Sequence, residues 1–304
     1  MGLTNFPYGL SSFGFPLIGS GPVVSTGQVF FVYSTAGVNA DGRGLDPETP
    51  FATLAYAIGK CAASKGDIIF LMPGHAETIT AATALAVAGV SIYGLGNGDN
   101  RPLFTLSTAT AAGFTIGAKN IKISNVRFNM TGITAVVAAL APGATSQYFT
   151  VEDCEFTMSD TALIAVQAIK LTHVDASFCT IRRCRFYSPV AGATAAILSA
   201  VAHNRLRVED CEFDGDFATA AINQTTAACT KCALLRNIYY GDNASEPIIE
   251  LYTGSSGVAA GNLSAVATLA AAGSIVGDAL WKFENYTTDT AANSAILDPT
   301  GVTL

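Results

Sequence analysis

Four glutamates are the residues of this chain whose spacing could support chemistry. Glu152 and Glu155 stand three residues apart, and the same pair recurs as Glu209 and Glu212. Two carboxylates flanking one bond are what glycoside hydrolysis requires, because one donates a proton while the other acts as base or nucleophile. The spacing makes a sugar-cleaving site one hypothesis. Whether it holds depends on the elements that carry these glutamates.

The cysteines and histidines indicate less chemistry. Cys229 and Cys232 have the C-x-x-C spacing of a metal or redox site, but the chain has no second C-x-x-C and no histidine beside this one. We interpret the seven cysteines as buried free thiols of a chain that folds in a reducing compartment. His75, His173 and His203 are isolated and are interpreted as surface or turn residues. We therefore predict no metal ligand and no cofactor.

Charge and composition exclude several classes of protein. With 16 basic and 23 acidic side chains the net charge is −7, and a pI near 4.9 disfavours nucleic-acid binding. Half the residues are hydrophobic and only 13% are charged, which excludes a disordered chain or a coiled coil. The longest uncharged apolar run, residues 133–141, is too short to span a membrane. Residues 1–21 lack the positive charge of a signal peptide.

A hexapeptide that recurs five times predicts the architecture. Its copies occupy residues 123–128, 151–156, 181–186, 208–213 and 235–240, and their aromatic positions lie 28, 30, 27 and 27 residues apart. The units alternate with period two and are rich in Thr, Val, Ile and Phe, which indicates short strands rather than helical repeats. We therefore predict an all-β fold, a parallel β-solenoid of roughly seven to nine stacked coils.

Stacking places equivalent positions of successive coils on top of one another. The aromatic position is predicted to form an interior ladder of Phe128, Phe156, Phe186, Phe213 and Tyr240. A second interior column is predicted to contain Val126, Cys154, Cys184, Cys211 and Ile238. The bends are predicted at Asn125, Asp153, Arg183, Asp210 and Asn237.

The polar positions between these columns alternate in charge from coil to coil. One polar column contains Ser124, Glu152, Arg182, Glu209 and Arg236. The other contains Arg127, Glu155, Arg185, Glu212 and Tyr239. Each charge would lie between opposite charges above and below, which favours control of the register over catalysis for the four glutamates. We therefore predict no catalytic residue.

Residues 28–72 are predicted to cap the first coil. Thr49 and Pro50 have the pattern of an N-cap and first helical residue, and Phe51, Leu54 and Ile58 would share one apolar face of a short helix. The apolar residues 68–72 would then form the strand that begins the first coil.

The segments DGRGLDPETPFATLAYAI and GDIIFLMPGHAETI resemble the N-terminal cap of right-handed parallel β-helix proteins of the pectate-lyase-like superfamily. The resemblance covers roughly residues 28–265, and many phage tailspikes and virion proteins share this cap. It implies a single-stranded right-handed parallel β-helix. It implies no activity, because the cap motif contains no catalytic group.

The segment MGLTNFPYGLSSFGFPLIGSG resembles the N-terminal arm of structural proteins from tailed bacteriophages. It is uncharged and interrupted by Gly and Pro, so its apolar side chains cannot be buried as one face of a helix. We expect an extended arm that docks on a partner surface, or alternatively on the protein's own solenoid. The expected docking residues are Phe6, Tyr8, Phe13, Phe15, Leu17 and Ile18.

These patterns divide the chain into four segments. Residues 1–27 would be the docking arm, 28–72 the N-terminal cap and first strand, 73–266 the β-helix coils, and 267–304 a C-terminal cap and tail. The Ala/Thr/Val-rich connections at residues 133–144, 190–202 and 217–228 suit close contact between subunits, which predicts a homotrimer.

The resemblances imply a non-enzymatic structural protein of a bacteriophage virion, most like a capsid decoration or head-fibre protein. It would be assembled in the host bacterial cytoplasm, with the major capsid protein or another virion protein as partner. Neither nucleic acid nor membrane is expected as a partner. The alternative is a tailspike-like or tail-fibre-like protein that binds or cleaves host surface glycans.

Overall fold

The computed structural model describes residues 10–12, 15–17, 27–107, 109–130, 136–158, 166–188, 193–224, 226–241, 247–266, 275–276 and 279–287. In these ranges there is one α-helix, α1 (Leu54–Lys60), and no helix that is long and apolar enough to cross a lipid bilayer.

The chain winds as a right-handed parallel β-solenoid, which confirms the predicted fold class. Each turn contributes one strand to each of three parallel sheets, so strands that are about a coil apart in sequence become neighbours in space. Sheet 3 contains eight of the described strands, one for each complete turn, which agrees with the predicted number of coils.

The bounds of the strands follow this three-sheet order. The strands of sheet 1 are β3 (Val29–Val32), β4 (Ile68–Leu71), β7 (Ser91–Gly94), β10 (Lys122–Ser124), β13 (Thr150–Glu152), β16 (Thr180–Arg182), β20 (Arg207–Glu209), β24 (Cys232–Leu235), β27 (Ser256–Ala260) and β30 (Ala279–Phe283). The strands of sheet 2 are β5 (Ala76–Ile79), β8 (Leu103–Leu106), β11 (Arg127–Asn129), β14 (Glu155–Thr157), β17 (Arg185–Ser188), β21 (Glu212–Gly215), β25 (Ile238–Gly241), β28 (Leu263–Val266) and β31 (Tyr286–Thr287). The strands of sheet 3 are β6 (Ala82–Leu85), β9 (Gly113–Ile116), β12 (Ala138–Pro142), β15 (Gln167–Leu171), β18 (Ala195–Ser199), β22 (Ile222–Gln224), β26 (Ile249–Leu251) and β29 (Ile275–Val276). Two short pairs lie outside these sheets: antiparallel β1 (Leu10–Ser12) with β2 (Phe15–Leu17), and parallel β19 (His203–Asn204) with β23 (Cys229–Thr230).

The capping helix α1 starts later than the sequence pattern predicts. Its N-cap is Thr53, whose hydroxyl accepts a hydrogen bond from the amide of Tyr56 at 3.3 Å. The predicted N-cap at Thr49 is wrong because Phe51 pairs as an extended bridge with Val32 of β3. This pairing keeps the chain extended until residue 52.

The interior aromatic ladder is confirmed at four of its five predicted positions. Successive ring centroids are 4.8–4.9 Å apart and the ring planes lie within 8° of one another for Phe128, Phe156, Phe186 and Phe213. The fifth ring belongs to Tyr239, which is 4.9 Å from Phe213 and 2% exposed. The predicted assignment of Tyr240 to the interior ladder is wrong, since its side chain faces outward and is 41% exposed.

The register of the last repeat differs from the prediction by one residue. Glu209 pairs with Leu235 and Glu212 with Ile238, so Asn237 occupies the interior position below Cys211. Because successive side chains alternate between faces, a one-residue shift turns each side chain to the opposite face. Three further assignments are therefore wrong, namely the interior position of Ile238 and the polar-column positions of Arg236 and Tyr239.

Cysteines occupy the middle of the second interior column, as predicted. Below Val126 this column contains Cys154, Cys184 and Cys211. The thiol of each lies 3.3 Å from the carbonyl oxygen of the residue two positions earlier in the sequence. The thiols are at most 2% exposed and behave here as small apolar groups with a weak donor.

Asparagines continue this column in the last three turns. Asn237, Asn262 and Asn285 are fully buried. The Oδ1 atom of Asn237 accepts the amide of Cys211 at 3.0 Å, and its Nδ2 donates to the carbonyl of Val208 at 3.1 Å. Asn262 and Asn285 repeat the pattern one turn further each time. These amides therefore satisfy one another and the backbone, which removes the cost of burying them.

Two columns of residues with left-handed backbone form the corners on either side of sheet 1. The first corner, between sheets 1 and 2, has φ of 50–59° at Asn125, Asp153, Arg183, Asp210 and Arg236. The second corner, between sheets 3 and 1, has φ of 57–61° at Asn120, Tyr148, Phe178, Arg205 and Lys231. Bends at the first corner are confirmed at four predicted positions, but the fifth bend is at Arg236 rather than Asn237.

Truncation of the ladder tests the observed register. Phe186→Ala and Tyr239→Ala are each expected to lower the free energy of unfolding by about 3–5 kcal/mol, because each leaves a cavity in the solenoid core. Tyr240→Ala is expected to change it by about 0.5 kcal/mol or less, because its ring lies on the surface. Denaturant unfolding measures all three. Equal losses for the two tyrosine variants would contradict the register.

Candidate functional site

Glu152, the first glutamate of the hydrolysis hypothesis, is a buried partner in an ion-pair network. It lies on the outer face of sheet 1 but is 5% exposed, because Lys122 and Arg182 from the turns above and below cover it. The Nε of Arg182 donates to its Oε2 at 2.7 Å. Both carboxylate oxygens therefore have cationic partners.

The other glutamates have the same kind of environment. Glu209, 7% exposed, accepts from Arg207 Nε at 2.7 Å. Glu155 accepts from Arg101 Nη2 at 2.6 Å, and Arg185 Nε lies 3.2 Å from Glu212. Each of these four carboxylates has a basic partner. The predicted pairing with opposite charges both above and below is wrong for Glu209 and Glu212, because the residues below them are Leu235 and Ile238.

Acidic and basic residues also alternate along the first corner. Arg183 donates two hydrogen bonds, of 2.8 and 2.9 Å, to the carboxylate of Asp153. Arg236 makes the same bidentate contact with Asp210, at 2.7 and 2.8 Å. Bidentate pairing holds the arginine side chains over the surface carboxylates and raises the pKa of the Arg183 guanidinium. The surface of sheet 1 and its first corner thus form one alternating charge network.

Glu152 does not fit the general-acid role in glycoside hydrolysis. A general acid in a glycosidase needs a raised pKa so that it still holds a proton near neutral pH. Burial by itself raises the pKa of Glu152, but hydrogen bonds from Lys122 and Arg182 outweigh burial and lower that pKa overall. The carboxylate is therefore ionised and occupied, which fits a structural role.

Two of the three histidines lie in the interior, contrary to the interpretation as surface or turn residues. His75 is 1% exposed; its Nδ1 accepts the amide of Ser34 at 3.0 Å, and its Nε2 lies 3.3 Å from Glu77. Glu77 also accepts the first amide of α1, from Leu54, at 2.9 Å. His75 and Glu77 thus join the cap to the first turn of the solenoid.

His203 belongs to a second buried polar cluster. It is 5% exposed, and its Nδ1 lies 2.9 Å from the hydroxyl oxygen of Ser199. Burial lowers its pKa, and the hydrogen bond to the carbonyl of Val201 only partly offsets that effect. The ring is therefore neutral near pH 7. His173, by contrast, is an exposed turn residue, as predicted.

The cysteines are free thiols, as predicted. Six are buried and Cys61 is half-buried. Burial raises the pKa of the Cys179 thiol to about 12. The thiols of Cys229 and Cys232 hydrogen-bond to each other, which raises the pKa of the first and lowers that of the second. Within the described ranges no group of three or more His, Cys, Asp or Glu side chains could hold a metal ion.

Four of the predicted docking residues, Phe6, Tyr8, Phe13 and Ile18, lie outside the described residues. Phe15 and Leu17 belong to β2, which pairs with β1 in an antiparallel hairpin. Docking by this arm stays a prediction.

Exposed aromatic residues on the solenoid surface were not predicted from the sequence. Trp281 is 73% exposed and Tyr148 is 52% exposed. Tyr148 belongs to the second corner, whose residues recur with the spacing of the bend residues of the first corner. That spacing is the signal that could have identified them.

Acid titration tests the structural role of the carboxylates. Hydrogen bonding to Arg236 lowers the pKa of Asp210, and the pKa of Glu152 is lowered as well. The stabilisation by these two carboxylates is therefore complete above their ordinary pKa values of 3.8 and 4.5 and is lost as the pH falls through the lower folded-state pKa values. Thermal unfolding should give a melting temperature that is flat from neutral pH down to about pH 5 and then falls.

A matched variant identifies the source of this decline. Glu152→Gln removes one titrating group and is expected to make the fall in melting temperature shallower. Glu48→Gln, on the exposed loop before α1, is expected to leave the profile unchanged. A wild-type profile that stays flat down to pH 3 would contradict the role assigned to the network.

No protein-family model matches this chain, and no curated protein matches it. Among solved structures, the chain is similar to a pectin methylesterase from Aspergillus niger, with 13% sequence identity and a TM-score of 0.44. The similarity covers 92% of this chain and 94% of that one.

Proposed function

We propose that this chain is a non-enzymatic structural protein of a bacteriophage virion, a capsid decoration protein that docks through residues 1–27. The observation that carries the non-enzymatic part is the occupation of Glu152, Glu155, Glu209 and Glu212 by basic partners. A solenoid whose charged surface is used to hold its own turns together is suited to being a rigid scaffold.

The virion part of the proposal rests on the resemblance of the N-terminal segment to phage docking arms. The chain contains no Asp, Glu, Lys or Arg before Asp41, while residues 1–18 include Phe, Tyr, Leu and Ile. An uncharged, aromatic-rich segment gains most by burial against a partner, and its proposed partner is the major capsid protein or another virion protein. We further propose a homotrimer, which would bury part of a surface poor in charge.

The second candidate function is that of a tailspike-like or tail-fibre-like protein that binds or cleaves host glycans. Exposed aromatic side chains such as Tyr148 and Trp281 favour the binding form of this function. The occupation of both Glu152 oxygens by Lys122 and Arg182 disfavours the cleaving form.

Deletion of residues 1–22 tests the docking proposal. The truncated protein is expected to stay folded and trimeric by light scattering, at about three times its chain mass, because the coils begin after residue 27. It is expected to lose co-sedimentation with virus particles that were assembled without the protein, while the full chain binds them.

Two results would contradict this proposal. Full occupancy of the particles by the truncated protein would show that the arm is not the anchor. A monomer mass for the full chain at micromolar concentration would contradict the proposed homotrimer.

Substitution of the glutamates separates the two candidate functions. For a structural protein, Glu152→Gln and Glu209→Gln should lower the free energy of unfolding by about 1–2 kcal/mol each, through loss of charge-assisted hydrogen bonds. Neither wild type nor variant should shorten host surface polysaccharide, measured by size-exclusion chromatography. Depolymerisation by the wild type that both variants abolish would instead favour the enzyme, with Glu48→Gln, which lies outside the charge network, as the control.

A further inference from the structure

Three side chains stack in successive turns along the second corner. The ring centroids of Tyr148 and Phe178 are 4.7 Å apart, and the guanidinium carbon of Arg205 lies 5.2 Å from the Phe178 centroid. Lys231 follows in the next turn, and Lys119 precedes the column beside Asn120. We call Lys119, Tyr148, Phe178, Arg205 and Lys231 the basic ridge.

The backbone of this ridge is strained. Left-handed φ is unfavourable for L-residues other than Gly, Asn and Asp, and most of all for those with bulky side chains. Tyr148 and Phe178 have φ of 60° and 61°, although Asn120 in the same column shows that a short polar residue fits there. Strain of this kind persists where a side chain is needed for another purpose.

At the first corner, ion pairs account for the bulky residues with left-handed backbone, whereas the second corner has no such ion pairs among the described residues. Arg183 and Arg236 have left-handed backbone, and each is held by a bidentate ion pair with an aspartate of the turn above. In the part of the chain that the structure describes, Lys119, Arg205 and Lys231 have no acidic partner. The carboxylate of Asp175 accepts the amide of Thr145 at 3.5 Å and lies 3.4 Å from His173 Nδ1.

We propose that the basic ridge binds an acidic polysaccharide that lies parallel to the solenoid axis. Unpaired cations on a protein of net charge −7 form a local site for a polyanion. Coils about 4.8 Å apart repeat on a scale close to the length of one sugar residue, so Arg205 and Lys231, in successive turns, can meet the carboxylates of successive uronate residues. This inference concerns the corner of the coils and is independent of the proposed docking arm.

The aromatic part of the ridge favours a sugar over a peptide. Tyr148 is 52% exposed, and only its Phe178 side is covered by a ring, since the short Asn120 lies on the other side. An open ring face accepts the apolar face of a pyranose while the flanking cations bind carboxylates. A purely acidic peptide would use the cations and leave the ring without a role.

Titration of the full-length protein with alginate, a uronic-acid polymer, tests the proposal by calorimetry. Dextran provides a neutral glycan and poly-L-glutamate a polyanion without sugar rings. We expect alginate to bind, dextran not to bind, and poly-L-glutamate to bind at least about tenfold more weakly than alginate, because it lacks the ring contact.

Asparagine variants assign the binding to the ridge. Tyr148→Asn is expected to weaken alginate binding about tenfold, and Arg205→Asn and Lys231→Asn about threefold to tenfold each. Because Asn tolerates left-handed backbone, these variants should keep the wild-type melting temperature to within about 2–4 °C. The matched control is Arg236→Asn, which removes one exposed arginine at the same backbone conformation but from the first corner. It should leave alginate binding unchanged.

Several results would overturn the proposal. They are the absence of alginate binding by the wild type, unchanged binding by folded Tyr148→Asn and Lys231→Asn, or an equal loss in Arg236→Asn. Equal affinity for poly-L-glutamate, with no effect of Tyr148→Asn on either polymer, would identify an acidic protein segment as the partner instead.

Discussion

Stacking of every turn directly on the next is the constraint on which the rest of this structure depends. Parallel pairing in register brings each side chain against its counterpart one turn away, about 4.8 Å distant. A column is therefore stable only if its members suit one another. Rings stack in the series from Phe128 to Tyr239, and buried amides satisfy one another from Asn237 to Asn285. Charges of one sign repel, so Glu152 and Arg182 must alternate.

This constraint explains why the charged surface of sheet 1 is structural. A carboxylate there has a neighbour above and below at fixed distance, and a basic residue in either position neutralises it. The corners are freer, because their side chains project from a bend rather than from a paired strand. At the first corner the chain again uses alternating charge, as in Arg236 with Asp210. The second corner instead carries aromatic rings and unpaired cations, and this is the corner where we propose that an acidic polysaccharide binds.

Sequence reasoning identified the candidate carboxylates correctly and their environment in outline. The recurrence of Glu152 at Glu209, with Arg182 between them, was sufficient to predict ion pairing of these glutamates. It could not predict that His75 and His203 are buried, because the Ser34 amide that His75 accepts lies 41 residues away in sequence and the Ser199 hydroxyl beside His203 belongs to no motif. It also missed Tyr148, because an aromatic residue at a left-handed bend follows no propensity rule.

The sequence by itself determined the fold class, the repeat and the composition of the interior columns, because hydrophobic periodicity and coil length are local properties of the chain. Only the tertiary structure decided the final register. Tyr239 and Tyr240 are both aromatic, so the local pattern permits either in the ladder. The choice is made by the bend at Arg236, whose amide bonds to Ala260 in the next turn and whose side chain pairs with Asp210 in the turn before. Those contacts exist only once the turns are stacked, and they turn Tyr239 inward and Tyr240 to the surface.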